Sequence, residues 1–470
     1  MKKYLLILSA LLYFTVNINS TIINVPGNYS TIQAAINASV NGDTVLVEPG
    51  TYMENINFRG KKIVLTSRYY LTNNPATIYS TVINGSTPAN ADSGSCVIIN
   101  NNEDSTTVLQ GFAITGGIGT KWLDEHGAGL YREGGGILIQ YSSPVIQYNI
   151  IYNNAVTNLT GVTSTGGGGI RIGDSYPRVY NNIFMNNTAR YGAGVVLNYT
   201  GGEYKNNVVC ANYGSNQYGA GSGMWLNGFF NRPITIENNT IANNSALNNS
   251  AGIYGFGSVQ ASIRNNIVWG NTVPGNIQIS GGSFTVRYCN VQGGYTGAGN
   301  INSDPMFADS NYILQPNSPC VDKGDSSAIY NDPEDPNNPT FAKYPSRGTL
   351  RNDMGAYGGQ LSRILTNQLI GIPKNGTEIP VEFALYQNYP NPFNPTTKIR
   401  FAIPNAETHS CVSLRIYDAL GKEIETIVYE QLNAGVYEVD FDGSNLSSGI
   451  YFYRLISGNY TAVKKMILIK

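Results

Sequence analysis

A repeated pair of short blocks constrains this chain more than any other feature. The first block opens with small residues and a brief apolar run: GGGILIQ from Gly134, GGGIRIG from Gly167, GAGVVLN from Gly192, GSGMWLN from Gly221 and SAGIYGF from Ser250. The second block is rich in asparagine: YNIIYNN from Tyr148, NNIFMNN from Asn181, NNVVCAN from Asn206, NNTIANN from Asn238 and NNIVWGN from Asn265. Aligning Ile137, Ile170, Val195, Met224 and Ile253 gives steps of about 25 to 33 residues, the range of stacked solenoid coils. A unit this small cannot bury its apolar side alone, so the copies must stack with equivalent positions superimposed. Strand alternation then points Ile137 and Ile139 inward, and likewise Ile170 and Ile172, with the residues between them facing out. Glycine suits corners that need positive φ. Asparagine tolerates the same conformation, and its amide can bond to the copy stacked upon it. The asparagines are therefore expected to be structural.

Residues before the first repeat fit the same plan. TIQAAINASVNGD has a Ser30-x-x-Gln33 capping-box spacing, apolar Ile32, Ala35 and Ile36 on one face, and a stop at Gly42, which predicts one amphipathic helix closing the open end of the solenoid. Strand-like TVLVEPGTY, KKIVLTS, STVING and SCVIIN follow it. At the start of the chain, Lys2 and Lys3 precede an apolar run from Tyr4 to Val16 and then small and polar residues to Ser20. That order is the pattern of a secretory signal peptide over residues 1–20, too short to span a bilayer. Charged side chains make up 13% of the chain, against about 25% in average globular proteins. With 29 basic and 30 acidic residues the net charge is −1, which argues against a nucleic-acid partner or a polybasic membrane anchor and leaves neutral polymers and sugars open. No later segment is apolar enough to be transmembrane. The five cysteines are too scattered for a small disulfide framework, with Cys289 and Cys320 a candidate pair.

Residues 21–360 resemble the right-handed parallel β-helix proteins of the pectin-lyase-like group. The resemblance rests on TIQAAIN…GDTVLVEPGTYMENI, LQGFAITGG, the Gly-Gly-Gly coils, DPMF, NYILQPNSPCVDKGD and NDMGAYGG. It implies an all-β chain whose larger part is a right-handed parallel β-helix solenoid, in a group that holds polysaccharide lyases, hydrolases and esterases beside surface proteins without assigned activity. The hydrolases of that group use clustered aspartates and a Gly-His-Gly, and the esterases use paired aspartates with Arg and Gln on adjacent coils; these coils carry neither. A lyase needs less, a Lys or Arg base near a sugar carboxylate with Ca²⁺ held by carboxylate oxygens. No cofactor is assigned, although DPEDPNN near Asp332 has oxygens of the kind Ca²⁺ takes.

Beyond Gly359 the repeat stops. Residues 361–382 read as a linker, and a new pattern follows with alternating strands at Ile399, Phe401 and Ile403, at Val412, Leu414 and Ile416, and at Tyr437, Val439 and Phe441, then IYFYRLIS and KKMILIK. Turns are marked at Asp418–Lys422, Asn433–Gly435 and Ser457–Asn459, so a small antiparallel β-sandwich is expected. Residues 383–470 resemble the type A sorting domain of the type IX secretion system through FALYQNYPNPFNPTTKIRF, YDALGKEIETIV, LNAGVYEVDFDGSNLSSGIYFYRL and KKMILIK. The resemblance implies export by that machinery across the outer membrane of a Gram-negative bacterium, followed by release or attachment at the cell surface.

Two groups of residues are candidates for a site. If Ile170, Val195, Met224 and Ile253 point inward, Arg171, Val196, Trp225 and Tyr254 point outward from successive coils, and Gln140, Asn198, Asn227 and Phe256 lie one step further along the same face. Aromatic rings beside amides and a guanidinium suit a sugar chain, whose ring faces stack while its hydroxyls and carboxylates take hydrogen bonds. The second group is the insertion KWLDEHGAGLYRE, with Lys121, Asp124, Glu125, His126, Arg132 and Glu133, placed where solenoids put function, although charges on a loop are ordinarily just solvated. The expected molecule is a monomeric binder of polysaccharide or cell-surface glycan, with a lyase acting on uronate-containing polysaccharide as the enzymatic alternative.

Overall fold

A computed structural model describes residues 20–364, apart from 125, 216–218 and 229–231, and residues 383–470, apart from 389, 405–410, 432–434 and 458–459. The expected signal peptide, most of the linker, Glu125 and parts of two predicted turns lie outside the described residues. The chain divides into two compact units, a solenoid and a C-terminal sandwich.

In the solenoid each coil contributes one short strand to each of three parallel ladders. The first ladder stacks Ile137–Gln140, Ile170–Gly173, Val195–Asn198, Met224–Asn227 and the opening of the long strand Ile253–Arg264. Ile137, Ile170, Val195, Met224 and Ile253 fall in one register row, as the repeat alignment requires. The second ladder runs through Val145–Gln147, Arg178–Tyr180, Gly202–Lys205 and Ile234–Glu237 to the other half of Ile253–Arg264. The third holds Ile150–Tyr152, Ile183–Met185, Val208–Cys210, Thr240–Ala242 and Ile267–Trp269. Alternate residues of all three point into one continuous core containing Ile139, Ile172, Leu197, Ile146, Val179, Ile151 and Phe184. Each such side chain contributes roughly 1.5–3 kcal/mol of burial, but only once the next coil covers it.

The asparagine blocks divide the work between their members. Asn181, Asn206, Asn238 and Asn265 hold positive φ (51°, 54°, 50° and 57°) and turn the chain into the third ladder. The asparagine that follows each points inward. The Oδ1 of Asn182, Asn207, Asn239 and Asn266 accepts both the backbone N–H and the side-chain amide of the equivalent residue one coil earlier, starting from Asn149, at 2.7–3.1 Å. A second internal ladder runs Asn154, Asn187, Asn212, Asn244, Asn271 and ends on Gln278. Both ladders satisfy backbone groups at corners that no strand pairing reaches. The outward asparagines serve elsewhere: Asn206 Nδ2 donates to the carbonyls of Ala356 and Gly358, and Asn238 Nδ2 to those of Asp353 and Gly355, which clamps the NDMGAYGG segment on the outside of the coils.

Three expectations need correction. The helix Ile32–Ala38 forms and buries Ile32, Ala35 and Ile36, but its N-cap is Thr31, whose side chain accepts from Ala34 N. Ser30 and Gln33 make no capping box: the amides of Ile32 and Gln33 donate to the Glu54 carboxylate (both 2.9 Å), and Gln33 instead bridges to the backbone of Asn57. The helix stops at Ala38, capped through Ser39, rather than at Gly42. In the DPEDPNN segment Asp332 is buried and accepts the backbone N–H groups of Asp353 and Gly359, while Glu334 and Asn337 are exposed. Cys289 is a buried thiol rather than half of a disulfide with Cys320, and it ends the first asparagine ladder by accepting from Asn266 N.

The C-terminal unit packs a three-stranded sheet (Ala384–Leu385, Thr396–Ile403, Gly435–Asp442) with a four-stranded one (Glu423–Gln431, Cys411–Tyr417, Gly449–Ser457, Tyr460–Leu468), all antiparallel. Ile399, Phe401, Val412, Leu414, Ile416, Phe441, Tyr453, Leu455, Met466 and Leu468 form its core. The Pro-Asn-Pro-Phe-Asn-Pro segment is tied to the last strand: Asn391 Oδ1 accepts Ile467 N, Phe393 N donates to Ile467 O, and Ile469 N donates to Phe393 O (2.9–3.0 Å). Beside it, the Tyr453 hydroxyl accepts Asn388 N and donates to Tyr386 O.

Candidate functional site

The two candidate groups meet. The KWLDEHGAGLYRE insertion is not a loop but an antiparallel hairpin, Gly119–Asp124 against Gly129–Glu133, flanked by Ser93–Gly94 and Ser164–Gly166 in a four-stranded sheet of its own. Its turn is held by Asp124, whose Oδ1 accepts His126 N at 2.8 Å. Side chains from this hairpin reach down to the outward rows of the first ladder.

Those rows lie in the expected register. Arg171, Val196, Trp225 and Tyr254 form one row; Gly173, Asn198, Asn227 and Phe256 form the next, with Gln140 paired to Gly173. Their exposure differs from the expectation. Arg171 leaves the coil on its outward side yet is 0% exposed, because the hairpin covers it. Its Nε ion-pairs with Glu133 Oε2 at 3.0 Å, its Nη1 donates to Ile139 O and Gln140 Oε1, and its guanidinium lies 3.8 Å from the Trp122 ring centre. Nη2 is buried with no hydrogen-bond partner among the described residues. A Cβ at position 173 would collide with the guanidinium and with Gln140 Oε1, which accounts for glycine there.

Three of the insertion's charges, Asp124, Arg132 and Glu133, are buried, whereas Lys121 is half-buried and His126 is exposed. Glu133, 2% exposed, also accepts Trp122 Nε1 (2.9 Å) and the Tyr191 hydroxyl, and burial beside this carboxylate pushes the Tyr191 phenol well above its usual range. Arg132 is buried against Asp92 and the Ala91 carbonyl, while Lys121 sits 3.9 Å from Asp92. Asp124 is buried and accepts Asn198 Nδ2 at 3.4 Å; Asn227 in turn donates to Asn198 Oδ1 at 2.8 Å. His126 stacks on Tyr199 with ring centres 3.6 Å apart, and its Nε2 lies 3.1 Å from Asp174, which also receives Arg232 Nη1 at 3.0 Å and Gln140 Nε2 at 3.3 Å.

Past the hairpin the rows come into the open. Tyr191 packs on Trp225 (4.8 Å), Trp225 stacks on Phe256 (5.9 Å, 23°), Trp225, Tyr254 and Asn227 are half-buried, and Phe256 is 53% exposed. The result is an aromatic platform with an amide at its edge, backed by a buried polar cluster. Sequence reasoning missed Trp122, Asp174, Tyr191, Tyr199 and Arg232. Asp174 and Tyr199 carried a readable signal, since each directly follows a ladder strand at a corner of positive φ (46° and 50°) where Gly or Asn would be the easy choice.

Residues 387–470 match the secretion system C-terminal sorting domain. The tie between the Asn391–Phe393 segment and the terminal strand therefore belongs to a sorting domain of the type IX kind, which implies secretion or a cell-surface location and an interaction with that machinery. A comparison with curated proteins finds no match for the chain. Among the described residues no helix is long and apolar enough to cross a membrane, and no group of three or more His, Cys, Asp or Glu is arranged to hold a metal ion.

Proposed function

We propose that this is a noncatalytic polysaccharide-binding protein of the bacterial surface or surroundings, led into export by residues 1–20 and delivered through the outer membrane by its sorting domain. The observation that carries the reading is the open platform of Trp225, Tyr254 and Phe256 with Asn227 beside it. Such rings offer flat apolar faces to the faces of sugar rings, and the amide reads hydroxyls. Gln140, Arg171 and Asn198 support the platform from beneath the hairpin instead of touching ligand. This argues against a lyase that uses Arg171, because a guanidinium fixed on Glu133 and closed off from solvent is placed neither to take a proton nor to meet a substrate carboxylate.

The test is a titration of the purified protein with a panel of soluble polysaccharides, followed by tryptophan fluorescence. Trp225→Ala is expected to abolish binding and leave the thermal midpoint unchanged; binding that survives the substitution places the ligand elsewhere. Incubation with uronate-containing polysaccharides, read as ultraviolet absorbance of unsaturated products, is expected to give none, and a rise in absorbance overturns the noncatalytic reading.

A further inference from the structure

The C-terminal unit lines one of its outer faces with charge and leaves the other apolar. On the three-stranded sheet Lys398, Arg400, Glu438 and Asp440 point away from the core, and Lys398 is ion-paired to Glu438 and Asp440 at 3.3 and 2.9 Å. That is the alternation expected where one face of an antiparallel sheet meets water. The strand Gly449–Ser457 of the four-stranded sheet departs from it. Tyr451, Tyr453 and Leu455 enter the core, yet the outward positions Ile450, Phe452 and Ile456 are apolar as well. On the neighbouring strand Ile467 lies opposite Ile450, and Val463 opposite Arg454. Ile450 and Val463 are 46% and 53% exposed, and Phe452, Ile456 and Ile467 are half-buried. A strand apolar on both sides is the pattern of one that is covered on both sides, and here the outer side is open.

The charges on that side do not balance. Arg415 and Arg454 stand directly opposite each other, and Lys465 lies opposite Phe452. Like charges so placed destabilise a sheet. Arg415 has Glu423 at 2.9 Å, whose other oxygen accepts the Thr426 hydroxyl at 2.7 Å. Glu425 on the same strand is near Asp442 instead, and burial together with that charge raises its carboxyl above the usual range. Arg454 lies 4.7 Å from the Tyr417 ring centre and donates to its hydroxyl, while its Nε is buried with no partner among the described residues. Among those residues neither Arg454 nor Lys465 has an ion pair. The free edge of the sheet is less open than its face: Tyr460–Leu468 carries Lys464 and Lys465 in succession, and the chain just past it is tied to Phe393.

We propose that this outer face, with Ile450, Phe452, Val463 and Ile467 at its centre and Arg454 and Lys465 among them, is where the export machinery engages the sorting domain. The partner is a protein surface that presents an apolar strip edged with carboxylates. Apolar and aromatic anchors supply the affinity of such contacts, and complementary charge fixes partner and register. The assignment rests on the reading of residues 383–470 as an export signal, and it adds the surface that is recognised and the chemistry of what recognises it.

Expression of the full chain in a host with a type IX system, with immunoblotting of periplasm and exterior, tests it. The double variant Ile450→Thr with Val463→Thr removes two exposed apolar groups and keeps residues that suit a strand. Lys465→Glu reverses a charge on the same face. Each is expected to reach the exterior at about one tenth of the parent level or less and to accumulate in the periplasm, while the purified variants keep the parent's thermal midpoint. Arg400→Glu, exposed on the other sheet, is expected to be exported like the parent. Parent-like export of both face variants, or an equal loss in Arg400→Glu, overturns the face and leaves the export reading standing. Retention of the parent itself in the periplasm overturns the export reading and this proposal with it. Sedimentation of the purified full chain tests another occupant: a parent dimer that the double variant fails to form puts a second copy on the face and overturns the machinery as its partner. Flotation of the parent, but not of the double variant, with phosphatidylglycerol vesicles puts a membrane there and overturns it likewise.

Discussion

Removing the Glu133 carboxylate is expected to be the most damaging single change at the site. Glu133→Ala strands three donors that the structure gives no other acceptor: Arg171 Nε, Trp122 Nε1 and the Tyr191 hydroxyl. Because Arg171 is fully buried, the loss is that of breaking a buried ion pair, about 3–5 kcal/mol. The double variant Glu133→Leu with Arg171→Met removes the orphaned charge but leaves the Trp122 and Tyr191 donors unsatisfied. It should therefore be more stable than Glu133→Ala by about 2 kcal/mol. Urea unfolding followed by both far-ultraviolet circular dichroism and tryptophan fluorescence measures this, with Trp122 reporting on the cluster itself. In Glu133→Ala the fluorescence transition should precede the dichroism transition, because the hairpin loosens before the coils. A loss below about 1 kcal/mol, or a double variant as damaged as the two single changes added together, refutes the buried-cluster account.

Asn239→Ala, which leaves Asn207 N and the Tyr204 carbonyl without their side-chain partners, should cost about 2–4 kcal/mol, whereas Asn153→Gly at a positive-φ corner should stay within about 0.5 kcal/mol; chemical denaturation of the two variants checks the division of labour. Burial raises Asp332 and Asp353 above the ordinary carboxylate range, with Asp353 adding repulsion on Asp332. The folded state therefore binds more protons than the unfolded one, so the contribution of these groups is full below the unfolded carboxylate pKa and is lost as pH rises through the folded values. Thermal midpoints measured across that range should fall with rising pH, and less steeply in Asp332→Asn. Residues 383–470 fused behind the signal peptide to a reporter should carry it out of a host with a type IX system, and a reporter that stays in the periplasm contradicts this.

The register of the ladders was legible because the spacing from Ile137 to Ile253 repeats a local requirement at every coil. The structural role of the asparagines was legible for the same reason, but not its division. Two adjacent asparagines look alike in sequence, and only the corner decides that Asn206 turns outward while Asn207 points in. Ser30-x-x-Gln33 misled because Thr31 caps equally well and the helix amides are taken by Glu54, more than twenty residues away. Arg171 misled because alternation fixes the side of the sheet and not exposure: outward became buried once a hairpin from another coil folded over it. Asp174 and Arg232 join the site through contacts across coils, which no local pattern announces.

Hydrogen exchange of the full chain, with and without a polysaccharide that it binds, tests the central claim most directly. The account predicts protection on binding in peptides covering Met224–Asn227 and Ile253–Arg264, together with the hairpin that borders them. Protection confined to residues 387–470, or found on the solenoid only in the third ladder, would contradict it.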